Sequence, residues 1–216
     1  MELSFIAKTA AGIVGGSAAV GGGAYAAYKL QNQETIEKHL KSLHRELASS
    51  NEDWELIKQN YASDNEETPI TGIPKSSINT KLSDLKKWCK DRLSEEFSQD
   101  KANQGDYNLI QAWCTKQVKI SSHLKNLKLA ALDVSGNGDN QILENLKSSY
   151  SGSSLKINEI TTQNSSKTEG TSPLSTIDNI QKIKDWCSWA SDQYFKYKED
   201  TLFQRYQHFC TKALKD

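Results

Sequence analysis

Leu85-Lys86-Lys87-Trp88-Cys89 is the stretch around which the chain is organised. It is answered by Trp113-Cys114-Thr115-Lys116, and the pair returns near the C-terminus as Ile183-Lys184-Asp185-Trp186-Cys187 with Phe209-Cys210-Thr211-Lys212. The spacings return as well. Phe97 follows Cys89 by eight residues, as Phe195 follows Cys187, and Tyr107 and Ile110 precede Trp113 by six and three, as Phe203 and Tyr206 precede Phe209. What recurs is apolar positions rather than charges, which is the mark of a shared packing scheme and not of a shared catalytic site.

Working outward, two earlier blocks match in the same order. His39-Leu40-Lys41-Ser42-Leu43 corresponds to His123-Leu124-Lys125-Asn126-Leu127 at an offset of 84 residues, and Trp54 to Tyr61 corresponds to Leu143 to Tyr150 at an offset of 89. The first Trp-Cys segments align at 98 and the closing cysteines at 96. Four blocks in one order with drifting offsets imply a duplication with changes in loop length. The expected domains are an N-terminal segment over 1–30, a helical repeat over 31–122 and a second over 123–216.

The local structure follows from the same positions. Leu82, Leu85, Cys89, Leu93 and Phe97 recur every three or four residues, as do Ile177, Ile180, Ile183, Cys187, Ala190 and Tyr194, each set forming one face of an amphipathic helix. Ser175-Thr176-Ile177-Asp178 has the form of a capping box at the start of the later helix. Asn103-Gln104-Gly105-Asp106 breaks the first helix pair, and the polar stretches Ala62 to Ser77 and Ser151 to Ser175 read as loops. The expected fold is all-α, an N-terminal hydrophobic helix followed by two duplicated repeats, each containing an antiparallel helical hairpin.

In such a hairpin, residues equidistant from the turn lie opposite one another. Cys89 should therefore meet Cys114, and Cys187 should meet Cys210, within the roughly 4.4–6.8 Å between Cα atoms that a disulfide tolerates. Two readings stay open, a disulfide in each repeat or small buried thiols beneath the neighbouring aromatic rings.

Composition bounds the function. The 216 residues are 36% hydrophobic and 25% charged, with 27 basic and 27 acidic side chains that cancel. A foldable chain with no net field is a poor partner for nucleic acid. Residues 9–28 carry no charged side chain, a length that suits a membrane anchor or an export signal although Gly and Ala dominate it. Lys29, Lys38, Lys41 and Arg45 then follow as a basic flank that would be held in the cytoplasm.

One sharper pattern is Asp133 to Glu144, which spaces oxygen-bearing side chains and a glycine as a calcium loop does. Asn140 stands where an aliphatic residue is usual and no partner loop exists, so a polar helix-to-helix connection is the competing reading. The four histidines, His39, His44, His123 and His208, show no ligand spacing and no acid or nucleophile partner in sequence. His39 and His123 occupy equivalent repeat positions, which points to packing. No catalytic, cofactor-binding or metal-binding residue is assigned, no cofactor is expected, and the chain is not expected to be an enzyme.

The Gly/Ala-rich N-terminal segment, Trp54 to Tyr61, and Leu85-x-x-Trp88-Cys89 through Phe97 to Trp113-Cys114-Thr115 together resemble paralogous families of uncharacterised, membrane-anchored or exported proteins of haemotropic mycoplasmas. The resemblance covers nearly the whole chain and carries over no catalytic residue. It implies a cell-surface location, with disulfides forming directly outside a cell that has no wall. Phe209 departs from the Trp-Cys-Thr form by a change between aromatic residues. The expected function is a membrane-tethered, non-enzymatic surface protein that binds or displays, its partner a protein or host-surface ligand. The alternative is a cytoplasmically facing membrane scaffold with reduced cysteines.

Overall fold

A computed structural model of the chain describes residues 34–102, 106–163 and 166–214. The first repeat runs through α1 (Ile36–Ser42), α2 (Asn51–Ala62), α3 (Ile78–Leu93), the single turn α4 (Gln99–Ala102) and α5 (Asp106–Trp113). The second runs through α6 (Ile120–His123), β1 (Leu129–Ala131), α7 (Asn140–Ser149), β2 (Asn158–Gln163), β3 (Ser166–Pro173), α8 (Ile180–Ser191), α9 (Thr201–Cys210) and β4 (Thr211–Ala213).

Each repeat buries its own core. Ile36, Leu40, Ile57, Tyr61, Leu85, Cys89, Ile110 and Trp113 form one, and Ile120, Leu124, Leu143, Tyr150, Ile183, Trp186, Phe203 and Phe209 form the other. The two divide between Cys114 and Ile120. Burial of such side chains contributes about 1.5–3 kcal/mol each, offset by the chain entropy lost on ordering them.

The duplication extends to individual hydrogen bonds. The amide of Ile36 donates to the carbonyl of Glu95 at 2.9 Å, and that of Ile120 donates to Gln193 at 2.9 Å. Ala48 donates to Cys114 at 3.1 Å, and Leu132 donates to Cys210 at 2.8 Å. Tyr61 donates its hydroxyl to the carbonyl of Ile73 and accepts the amide of Ile70, and Tyr150 holds Ile157 and Leu174 in the same way. Even the left-handed backbone recurs, at His44 (φ 57°) and Lys128 (φ 56°). Both cysteine pairs are disulfides, Cys89–Cys114 with Cα atoms 5.4 Å apart and Cys187–Cys210 with 5.5 Å.

The fold is not all-α. Two small antiparallel sheets are present, β1 with β4 and β2 with β3. The β2–β3 hairpin lies within the stretch Ser151 to Ser175 that reads as a loop. Between the Tyr61/Tyr150 blocks and the Trp-Cys blocks the repeat offset rises from 89 to 98 residues, and the hairpin is where that extra chain goes. Its Ile160, Thr161 and Thr162 are β-branched and suit a pleated strand, but only Ile160 among them packs against the second core, so no alternating apolar signal marks it. The β1–β4 pair has a counterpart in the first repeat, a single bridge between Leu47 and Thr115.

Helix ends also differ from the periodic pattern. α3 stops at Leu93 and α8 at Ser191, so Phe97 and Tyr194 lie beyond them in extended chain. The cap of α8 is Asn179, whose side chain accepts the amide of Lys182, rather than Ser175. A reciprocal capping box does exist, between Ser50 and Asp53 at the start of α2.

The anchor expected over residues 9–28 lies outside the described residues. Among the described residues no helix is long and apolar enough to cross a membrane. The longest of them, α3, has 16 residues and spans about 24 Å against a hydrocarbon core of about 30 Å, with lysines and aspartates along it. The single-pass membrane location expected from the sequence is withdrawn on that finding.

Candidate functional site

The residues of α1 that face away from the first core begin the site. His39 stacks on Phe97 with ring centroids 3.5 Å apart, and at the equivalent place in the second repeat His123 stacks on Phe195 at 3.9 Å. Each phenylalanine meets a further ring, Tyr107 at 5.5 Å and Phe203 at 4.8 Å. The extended chain after α3 and after α8 delivers these phenylalanines, which is why the helices must end before them.

Both stacks line one cavity of about 550 Å³ between the repeats. Leu43 and Leu127, another equivalent pair, line it too, with His44, Asn108, Gln111, Asn126, Lys198 and Glu199. Leu43 is 43% exposed there, so the cavity offers apolar surface to solvent.

Arg45 lines the same cavity and is 4% exposed. One of its terminal nitrogens, Nη2, donates to the carbonyl of Gln111 at 2.8 Å, to Thr115 Oγ1 at 2.5 Å and to the carbonyl of Lys196 at 3.2 Å. Its guanidinium carbon stands 4.9 Å from the centre of the Phe195 ring. The other two nitrogens, Nε and Nη1, are buried without a hydrogen-bond partner. Burial pulls the guanidinium down to about 10, which leaves it cationic at neutral pH. Burial, followed by the charges of Arg45 and Lys198, pulls His123 down to about 4, so that imidazole is neutral.

Arg45 also ties the halves together, since Gln111 and Thr115 belong to the first repeat and Lys196 and Phe195 to the second. A second tie lies nearby. Lys196 reaches Asp64 Oδ2 at 2.5 Å and sits 5.2 Å from the Trp113 ring, and Asp64 is buried.

Three of the four histidines thus meet at one cavity, whereas His208 lies on α9 against the Phe209 ring at 4.5 Å. In the second repeat the hairpin adds a cluster of its own. Glu169 on β3 accepts the Trp186 indole N–H and an Arg205 N–H, both at 2.8 Å, and Trp186 is fully buried. Its counterpart Trp88, without a hairpin, remains half-buried beneath Arg92.

The Asp133 to Glu144 loop is held by its own hydrogen bonds. Asp133 accepts the amides of Gly136 at 2.7 Å and Gly138 at 3.1 Å, and both backbone contacts hold its carboxyl below the usual carboxylate range. A β-carbon on Gly136 would stand 2.5 Å from Asp133 Oδ2, so a larger residue there would displace the Asp133 carboxylate from these amides. The Lys212 ammonium contacts both oxygens of Asp139, at 2.6 and 2.7 Å, and Lys184 reaches the carbonyl of Gly136 at 2.6 Å. The two carboxylates at the ends of the calcium-loop pattern are thus engaged internally, Asp133 by backbone amides and Glu144 by Lys147 at 2.6 Å. Among the described residues no group of three or more His, Cys, Asp or Glu is disposed to hold a metal ion.

No protein-family model, curated protein or solved structure matches the chain.

Proposed function

We propose that the chain is an exported, non-enzymatic binding protein of an oxidising compartment, whose ligand is held in the cavity between its two repeats. The cavity carries this reading. Its volume of about 550 Å³ is that of a ligand pocket, and it combines leucine and phenylalanine walls with amide, imidazole and charged groups from both halves of the molecule. The two matched disulfides support the compartment, because such bonds persist outside the reducing cytosol. They also favour this reading over a scaffold with reduced cysteines. A protein or host-surface partner would present a small group to the cavity.

The test is a thermal-denaturation screen of the oxidised chain against a chemically diverse set of small molecules, with recovery of each hit by mass spectrometry. A ligand present at a hundred times its dissociation constant adds about 2.7 kcal/mol to stability, a readily measured shift. Compounds that raise the midpoint and return unaltered are the expected result. A screen without any such shift overturns the binding reading, and chemical conversion of a hit overturns the non-enzymatic one.

A further inference from the structure

The cavity is more positive than the neutral chain around it. Arg45 and Lys198 are set against one carboxylate, Glu199, and the remaining polar lining consists of amides, a serine, a tyrosine and imidazoles. Arg45 decides the matter. It is buried, it has no salt-bridge partner among the described residues, and two of its three nitrogens have no hydrogen-bond partner. A buried charge of this kind is unfavourable unless it is paired. The duplication sharpens the point, because the position equivalent to Arg45 in the second repeat is Leu129, which packs against an apolar core. The first repeat thus carries a charge at a place where the packing scheme is satisfied by a hydrocarbon.

Beside this cation stand two stacked ring pairs, His39 on Phe97 and His123 on Phe195, and the exposed face of Leu43. We infer that the cavity binds a small organic anion with a planar ring, its carboxylate or phosphate pairing with Arg45 and its ring lying against the aromatic wall. Guanidinium is the side chain best suited to either anionic group. The inference rests on the reading of this cavity as the binding site and adds the chemistry of its ligand.

Isothermal titration of the oxidised chain with benzoate, phenyl phosphate and the neutral isostere benzamide tests it. Benzoate or phenyl phosphate should bind at least about tenfold more tightly than benzamide, as expected of a charge-assisted hydrogen bond, and the stronger of the two identifies the anionic group. Arg45→Met, with its fold checked by circular dichroism, should remove that preference. Leu43→Glu is a surface change that does not depend on refilling a buried site, and it should weaken the anions by a larger factor than it weakens benzamide. If benzamide binds as tightly as both anions, the charge inference fails while the cavity remains a binding site. If none of the three binds, or if neither variant alters anion binding, the inference is overturned.

Discussion

His123 titrates far below an ordinary imidazole, and the consequence for stability has a definite sign. The unfolded chain takes up a proton at this residue near pH 6.5, whereas the folded chain takes it up only near 4. The contribution of His123 is therefore fully present above about pH 6.5 and is lost progressively as pH falls toward 4, on the order of 2 kcal/mol in all. His123→Phe keeps a ring against Phe195 and removes the proton. Denaturant midpoints measured from pH 7 to pH 4 should fall for the native chain and fall less for this variant; parallel curves would refute the assignment. At this scale the sequence shows the histidines but hides their meeting, since stacking depends on where α3 and α8 end. Arg45 reads as one more charge in a basic flank that includes Lys38 and Lys41. The informative signal was its alignment with Leu129, a charge placed where the other repeat has an aliphatic side chain.

Among the elements, the β2–β3 hairpin makes the two repeats unlike. It places Glu169 over Trp186 and Arg205, with the Glu169 and Arg205 side chains 17% and 15% exposed. Glu169→Ala would leave an indole N–H and a guanidinium under cover without their acceptor, and it should cost about 2 kcal/mol. Glu169→Gln keeps an acceptor for the indole and should cost less. Equilibrium unfolding of both variants measures the difference, and an equal, negligible loss would mean the hairpin is not pinned by this contact. The helices and the cysteine contacts were legible because Leu85, Cys89, Ile183 and Cys187 repeat at helical spacing and the blocks repeat in order. The hairpin was not legible, because strand pairing here rests on backbone hydrogen bonds under mostly exposed Thr, Ser and Lys. Such side chains leave no periodic trace.

For the molecule as a whole, each repeat is stapled within its own core. The disulfides join residues 25 and 23 positions apart, and loops of that size stabilise by about 3 kcal/mol each in the chain-entropy account. Since Cys89–Cys114 and Cys187–Cys210 lie in separate cores, the losses on replacing each pair by alanine should add within about 0.5 kcal/mol. Denaturant unfolding of the two double variants and the quadruple variant decides it, and strong non-additivity would mean that the two bridges are energetically coupled through the contacts between the repeats. The join between the repeats has a further effect. Only residues 115–119 separate the last cysteine of the first repeat from α6, a span of at most about 18 Å when fully extended. The opposing walls of the cavity are thereby held at an effective concentration that no dilution can lower. A cavity assembled from two free subunits would come apart as the protein became scarce, whereas this one stays assembled at any abundance.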